Sequence, residues 1–356
     1  MDTQRRPFQD RAARGVMRLV GALPTRALRM LGGRPVRVDG QELHPEVQVA
    51  LRLLRLTAGQ TFEQLPLARG RAQISSEAWI FGDPTPVGTV RDLAVPGPAG
   101  PISARLYRPD GVDGPTPLLV YFHGGGWVLG DLESADSVCR FLAVHAGLTV
   151  LSVDYRLAPE HRFPAGVEDA VAAFRHAVDN AESLGVDPGA IGVGGESAGG
   201  NLAAVVSQIT HAEPGPAPMF QLLFFPVTDL STKHPSYELF SDGFFLTEAQ
   251  MDWYRGHYLS DPAEAWDPRV SPLLADDLGG LPSAYIAVAG FDPLRDEGEA
   301  YARRLKEAGI PVTLRRHGGL IHGIVNATGV GHAGREALFE AAGALRVGLA
   351  GSADAR

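Results

Sequence analysis

Cysteine is almost absent from the sequence, and other missing features exclude whole classes of protein. Cys139 is the only cysteine among 356 residues, so an intrachain disulfide and a thiolate metal cluster are excluded. A lone cysteine is compatible with a reducing compartment, and we expect a cytoplasmic location. The net charge is -9 and no run of lysine or arginine forms a phosphate-binding stripe, which predicts no nucleic-acid partner.

Long apolar runs are missing as well. Arginines interrupt every apolar stretch of residues 1–33 before it reaches the length of a signal peptide or a membrane span. We therefore predict no cleaved leader, no transmembrane helix and no stable membrane insertion. The arginine-rich amphipathic pattern fits helices that pack on the protein or helices that lie on a membrane surface, and packing through positions such as Val16 and Leu19 is favoured.

The remaining composition is that of a globular protein with a large core, with 45% hydrophobic and 21% charged residues. The length fits one α/β sheet with a smaller appendage. We predict N-terminal cap helices in residues 1–60, a first part of the core in 61–227, a cap insertion in 228–280 and a second part of the core in 281–356.

Apolar periodicity supports this division. Residues from about Pro7 to Gly59 show helical spacing and precede the first strand signal, so they are extra to the sheet. Val87 to Pro109 reads as an antiparallel hairpin, and buried apolar runs then alternate with amphipathic helices, as in a parallel sheet. The aromatic-rich span between Val227 and Leu281 is too long for a simple connection and is expected to meet the N-terminal helices.

The segment GGESAGG carries the clearest chemical signal. Ser197 lies at the centre of a GxSxG pattern, directly after the strand AIGVG and directly before a helix. A serine on such a sharp turn needs small neighbours, and the helix start directs amide groups at a charge that develops beside its oxygen. The alternatives are a phosphate loop or a dinucleotide turn, but Ser197 occupies the place of the third glycine and no GK[ST] follows.

A second glycine-rich segment, HGGGW, follows the strand LLVYF at the edge of the sheet where ligands bind. Successive glycines let backbone N–H groups turn inward, so Gly125 and Gly126 are predicted to form an oxyanion hole with the Ala198 N–H. A merely flexible loop is the alternative. His123 is expected to brace this loop rather than to transfer protons.

A serine nucleophile needs a base and an acid, which this chain order places later in the sequence. Asp292 is the first acid after the strand AYIAVA and is favoured over Asp296 and Glu297, which suit the first turn of a helix. His322 lies in GGLIHGI, which is predicted to be a loop with glycines on both sides of the histidine. It is favoured over His317, which ends a predicted strand, and over His332, which lies near a helix start. The histidines show no HxxxH, HxH or HExxH spacing, so neither a metal nor another cofactor is predicted.

Taken together, these segments resemble the hormone-sensitive-lipase-like esterases, bacterial family IV of the α/β-hydrolases. The resemblance covers most of the chain and rests on five motifs in order: HGGGW, DYRLAPEHRFPA, GESAGGN, DPLRDEG and the HG at His322. It implies a mostly parallel eight-stranded sheet flanked by helices with a helical cap, hydrolysis of short- to medium-chain acyl esters, a small-molecule ester substrate and assembly as a homodimer.

The same resemblance implies that the segment containing Tyr155 and Arg156 supports the site without taking part in catalysis. Two positions depart from many relatives: Glu196 stands where one subgroup has aspartate, and Ile324 replaces an aromatic residue after HG, which is expected to reshape the acyl pocket. Three other functions stay open: an amidase or lactonase with the same residues, a non-catalytic small-molecule receptor, and a lipase that acts at a lipid surface, against which the arginine-rich N-terminus argues mildly.

Overall fold

The computed structural model describes residues 7–57 and 60–350. The parts of the predicted outer segments that fall in residues 1–6, 58–59 and 351–356 lie outside the described residues. In the described part, no helix has the length and apolar character that crossing a bilayer requires.

A single large sheet organises the chain. Its strands, among the described residues, are β3 (Thr89–Gly97), β4 (Gly100–Arg108), β5 (Thr116–Phe122), β6 (Thr149–Asp154), β7 (Val186–Glu196), β8 (Phe220–Phe224), β9 (Ser283–Phe291) and β10 (Val312–Ile321). They lie in the order β10-β9-β8-β7-β5-β6-β4-β3. All neighbouring pairs from β10 to β6 are parallel, and β4 alone runs against the others. The predicted fold class is confirmed.

Helices cover both faces of the sheet because its strands are apolar on both sides. The helices that follow β5 along the chain are α5 (Asp136–Ala146), α6 (Ala165–Asp179), α7 (Ala181–Leu184), α8 (Ala198–Ala212), α9 (Pro235–Leu239), α10 (Glu248–Tyr258), α11 (Arg295–Glu307) and α12 (Ala333–Ala350). Helices α6, α8 and α11 pack on one face, and α5 and α12 pack together on the other.

The described residues before β3 form four α-helices and a small hairpin. They are α1 (Phe8–Gly21), α2 (Thr25–Gly32), β1 (Arg37–Val38), β2 (Gln41–Glu42), α3 (Pro45–Thr57) and α4 (Leu67–Phe81). The prediction that residues from about Pro7 to Gly59 are helical is thus wrong for the hairpin between α2 and α3. Asp39 and Gly40 have φ values of 52° and 72°, which suit the tight turn of a hairpin, and α2 has already ended at Gly32.

The face of α1 that packs on the protein also differs from the prediction. Met17 is buried, whereas Val16 and Leu19, which were predicted to pack, are largely exposed. Helical spacing identifies residues that share a face, but the choice of the buried face depends on the partner. Here the partner is α4, which offers polar groups to α1.

The last strand of the sheet carries glycines where the β1–β2 hairpin docks. β10 continues through Gly318 and Gly319 with a register irregularity. These glycines therefore belong to the strand, and the prediction that they form a loop before His322 is wrong. A Cβ atom on Gly319 would lie 3.0 Å from the backbone oxygen of Glu42, and the Gly319 carbonyl accepts a hydrogen bond from the His44 N–H. The glycines therefore permit close contact between the N-terminal region and the sheet edge.

The N-terminal region and the segment between β8 and β9 meet, as expected, above the sheet. The ring of Phe62 lies 5.3 Å from that of Tyr254 and 5.6 Å from that of Trp253, both on α10. Gln250 also donates a hydrogen bond to Glu63. These contacts close a space over the carboxyl ends of β5, β7 and β10.

Candidate active site

Ser197 lies on the turn between β7 and α8 in a backbone conformation that is rare for any residue with a side chain. Its φ and ψ are 57° and -119°, a conformation that costs on the order of 1–3 kcal/mol and that the surroundings must hold in place. The turn is tightly packed: a Cβ atom on Gly195 or Gly199 would lie 2.4 or 1.9 Å from the Phe122 carbonyl oxygen. Small residues are thus required on both sides of Ser197, as predicted.

Three of the predicted residues form one chain of hydrogen bonds. Nε2 of His322 lies 3.0 Å from Oγ of Ser197, and Nδ1 of His322 lies 2.8 Å from Oδ2 of Asp292. All three side chains are buried, Asp292 completely. In this arrangement an imidazole can accept the serine proton while a carboxylate fixes the ring, which is the geometry needed for acyl transfer.

The residues considered as alternatives occupy other positions. Asp296 accepts a hydrogen bond from the Ser236 N–H, and Glu297 accepts one from the Thr228 N–H. His317 lies inside β10, and His332 donates its backbone N–H to Glu46. Of the predicted candidates, only Asp292 and His322 are hydrogen-bonded in line with Ser197.

The glycines of the HGGGW loop line the same cavity as Ser197. Gly125 and Gly126 have φ values of 107° and 60°, which reverse the usual direction of the backbone. The N–H groups of Gly125, Gly126 and Ala198 make no hydrogen bond to another described residue. Ala198 is the first residue of α8, where the amides lack partners within the helix. The three amides are thus free to bind an oxyanion.

Glu196 connects the serine turn to the glycine loop, a role that the sequence pattern did not specify. Its Oε1 accepts a hydrogen bond of 2.9 Å from the Gly124 N–H, and its Oε2 accepts one from the Tyr121 hydroxyl. Burial raises the pKa of this carboxyl group. The acid before the serine in GESAGG was the available signal, but its partners lie about 75 residues away in sequence.

His123 and Tyr155 brace the same loop from below. Their rings stack with centroids 4.4 Å apart, and the Tyr155 hydroxyl donates to the His123 carbonyl at 2.8 Å. Nδ1 of His123 lies 2.7 Å from the Gly124 carbonyl oxygen. Arg156 binds Asp169 on α6. We therefore interpret His123, Tyr155 and Arg156 as residues that support the site, as the resemblance implied for Tyr155 and Arg156.

A cavity of about 1110 Å³ opens over Ser197 and His322. Its walls come from the glycine loop, from α4 and from the segment between β8 and β9, including Phe245 and Tyr254. Ile324 lines it too, at the position where many relatives were expected to carry an aromatic residue, and Phe245 lies close to Gly323 beside it. The space is large enough for a small-molecule ester.

One part of this cavity is polar. Gln73 donates to Glu77 at 2.8 Å, and Gln250 donates to Glu63 at 3.1 Å, and all four side chains line the cavity. Burial raises the pKa of Glu77. The cavity wall is therefore not uniformly apolar. Sequence periodicity could not predict this because the residues come from distant segments.

Glu297 is a second buried acid close to the site, behind Asp292. Its Oε1 accepts hydrogen bonds from the backbone N–H groups of Thr228 and Asp229, at 2.7 and 3.3 Å. Burial, followed by the nearby carboxylates of Asp229 and Asp292, raises the pKa of Glu297 well above its ordinary value. Glu297 therefore contributes most to stability below the pKa that its carboxyl group has in the unfolded chain. This contribution is lost as the pH rises from that value to the higher pKa of the folded protein.

Replacing Glu297 by glutamine is expected to remove this pH dependence. The amide oxygen can accept the same two hydrogen bonds, while the side chain no longer ionises. In denaturant titrations, the free energy of unfolding of Glu297→Gln minus that of wild type should increase from pH 5 to pH 8, because the wild type alone loses this stability as the pH rises. Glu307→Gln, at the exposed end of the same helix, serves as the control and should show no such trend. A constant difference across this range would contradict the assignment.

The fold and this site match those of known proteins. The family model for the alpha/beta hydrolase fold matches residues 119–326. The chain is 47% identical to the carboxylic ester hydrolase LipN of Mycobacterium tuberculosis, over 92% of this chain and 89% of that protein. It is 37% identical to the ethyl acetate hydrolase of Pseudomonas putida, over 79% and 91% of the two chains.

Solved structures agree with these relatives. An ester hydrolase from the metagenome of Lake Arreo superimposes with a TM-score of 0.83 at 44% identity, covering 86% of this chain and 98% of that one. A hyperthermophilic esterase from Pyrobaculum calidifontis gives a TM-score of 0.82 at 41% identity, with the same coverage. The chain belongs to the α/β-hydrolase family. Within that family it is a hormone-sensitive-lipase-like carboxylic ester hydrolase, which confirms the predicted resemblance.

Proposed function

We propose that the enzyme hydrolyses short- to medium-chain acyl esters through an acyl-serine intermediate, with Ser197, His322 and Asp292 as the catalytic triad. The observation that carries this proposal is the hydrogen-bonded chain from Asp292 through His322 to Ser197 at the base of the cavity. Oγ of Ser197 attacks the ester carbonyl carbon while His322 accepts the hydroxyl proton. His322 then returns that proton to the leaving alcohol as the acyl-oxygen bond breaks.

The second half of the reaction repeats the first with water. His322 accepts a proton from water, the hydroxide attacks the acyl carbon, and Ser197 leaves as its proton is returned. In both halves the carbonyl oxygen becomes negatively charged. The N–H groups of Gly125, Gly126 and Ala198 are proposed to stabilise this oxyanion, each by about 3 kcal/mol.

The test of the function is a series of p-nitrophenyl esters from C2 to C16 with an anilide and a lactone as competitors. We expect the highest kcat/KM on an ester of short or medium chain, and much lower values for the amide and the lactone. A phosphonate ester should label one peptide, the one that contains Ser197, as measured by mass spectrometry. Preference for the amide or the lactone would overturn the proposal in favour of those activities, and failure to hydrolyse any substrate would favour a receptor.

The oxyanion role of the glycine loop predicts a large effect of a methyl group at Gly126. A Cβ atom there would lie 2.1 Å from the Tyr254 ring, and the positive φ disfavours alanine, so the loop must move and its amide with it. We expect Gly126→Ala to lower kcat by roughly 10²–10³-fold. The measurement is the kcat on p-nitrophenyl butyrate.

Gly111 provides a matched control for this variant. Its φ is 69°, but a Cβ atom there would meet nothing within 4 Å. Gly111→Ala should therefore cost some stability and leave kcat within about twofold of wild type. If both alanine variants reduced kcat alike, conformational strain rather than the oxyanion contact would explain the loss.

The domain division is part of the same proposal. Helices α1–α4 and the segment between β8 and β9 are proposed to act as the cap over the site, and the two parts of the sheet that flank this segment as the catalytic core. A cytoplasmic location and assembly as a homodimer stay predictions. Sedimentation equilibrium of the full chain is the measurement for the homodimer.

A further inference from the structure

Helix α1 turns apolar side chains to its exposed side and two polar side chains towards the protein. Asp10 accepts a hydrogen bond of 2.6 Å from the Ser76 hydroxyl, and Arg14 donates one of 2.7 Å to the Trp79 carbonyl oxygen. The guanidinium group of Arg14 also lies 4.4 Å from the centroid of the Trp79 ring. The outward side carries Phe8 and Leu19, which are 77% and 72% exposed. An apolar stripe of this kind on a monomeric surface marks an interaction site.

Helix α2 repeats the pattern over a shorter length. Only Leu28 is fully buried, whereas Met30 is 78% exposed and lies next to Arg29 in sequence. Leu31 is half exposed as well. Since a three-residue connection joins the two helices, their exposed apolar side chains belong to one small part of the surface.

The charge of this part of the surface is opposite to that of the whole protein. Residues 7–34 contain six arginines and a single acid, Asp10, which is turned inward, while the chain as a whole has a net charge of -9. Arg18 pairs with Asp83. Arg11, Arg26 and Arg29 form no ion pair with any described residue and are exposed. The exposed charge of residues 7–34 that has no ion-pair partner among the described residues is thus purely positive.

These two features select one kind of partner. A second copy of the chain would bring arginines against arginines across the interface, and the one acid of residues 7–34, Asp10, is turned inward and cannot compensate. An anionic bilayer satisfies both features, because apolar side chains enter the boundary of the acyl chains and arginines bind the phosphate headgroups. We propose that α1 and α2 dock the enzyme on an anionic phospholipid surface, using Phe8, Leu19, Met30 and the arginines Arg11, Arg26 and Arg29.

The position of α1 connects this surface with the cavity. Met17, on the buried side of α1, lines the cavity that contains Ser197. A helix with its side chains is only about 10–12 Å across, so docking through the outer side of α1 would bring the cavity wall next to the lipid. Esters dissolved in the bilayer would then be concentrated near the site. The docking itself does not depend on the proposed hydrolysis.

The experiment is co-sedimentation of the full-length protein with unilamellar vesicles of phosphatidylcholine, alone or with 30% phosphatidylglycerol. We expect binding to the anionic vesicles that weakens strongly between 50 and 500 mM NaCl, and little binding to phosphatidylcholine alone. Arg26→Gln/Arg29→Gln should lower the partition coefficient by about fivefold per arginine. Leu19→Ser/Met30→Ser should lower it at least about tenfold.

The matched control is Arg346→Gln/Val347→Ser, which removes one exposed arginine and one valine that is 79% exposed on α12. This variant should bind anionic vesicles within about twofold of wild type. Hydrolysis of a water-soluble ester should stay unchanged in every variant, which checks folding. Sedimentation is measured without substrate, so its result is independent of the proposed hydrolysis.

Three results would overturn the proposal. One is equal sedimentation with and without phosphatidylglycerol. Another is an equal loss of vesicle binding in the α12 control. The third is a dimer in sedimentation equilibrium that Leu19→Ser/Met30→Ser dissociates, which would show that a second copy covers the apolar side chains.

Discussion

Replacing Ser197 by alanine is expected to lower kcat by about 10⁶-fold, the scale seen when a serine hydrolase loses its nucleophile. The substitution removes Oγ, the atom 3.0 Å from Nε2 of His322, and leaves no acceptor for the acyl group at that point of the cavity. Alanine keeps the Cβ atom, so the strained turn and its packing against Phe122 are retained. The measurement is kcat on p-nitrophenyl butyrate together with the free energy of unfolding, which should change little.

Ser207 offers a matched control on the same helix. It is completely buried, and its hydroxyl donates to the Ala203 carbonyl at 2.9 Å without contacting the cavity. Ser207→Ala should lower stability by about 1 kcal/mol and leave kcat within a few-fold of wild type. Retention of more than about one percent of kcat in Ser197→Ala would exclude Ser197 as the nucleophile.

The active-site turn was predictable because its requirements are local. A strand, a serine between two glycines and a helix follow one another within a few residues. The glycines lie two positions before and two positions after the serine, where the tight turn leaves no room for a side chain. Asp292 and His322 could be predicted for a related reason: each lies at the end of a strand, and parallel strands bring their carboxyl ends to one edge. The structure places the side chains within hydrogen-bonding distance of each other.

Features that depend on distant partners escaped prediction. Glu196 binds Gly124 and Tyr121, and nothing in its neighbourhood of the sequence indicates either contact. The buried side of α1 is a similar case, since its spacing fits either orientation and the polar groups of α4 decide between them. The β1–β2 hairpin had a local signal in its Asp-Gly pair, but the helical patterns on both sides of it obscured that signal.

The second large effect is expected for Asp292→Asn, which should lower kcat by about 10⁴-fold. Oδ1 of Asp292 accepts a hydrogen bond of 2.9 Å from the Leu294 N–H, and Oδ2 faces Nδ1 of His322. In the variant the amide oxygen must stay on the Leu294 N–H, so the amide NH₂ group faces Nδ1. His322 then presents a lone pair at Nδ1 and carries its proton on Nε2, where it can no longer accept the proton of Ser197.

The Asp292→Asn variant distinguishes a role of Asp292 in orienting His322 from a role in packing. Asparagine has the size of aspartate, so substrate binding should change little, and the loss should appear in kcat rather than in KM. Asp296→Asn is the matched control, because Asp296 lies in the first turn of α11 and binds the Ser236 N–H and Arg295 instead of a histidine. It should reduce kcat less than tenfold. Equal losses in the two variants would mean that Asp292 supports the loop after β9 and does not set the proton position on His322.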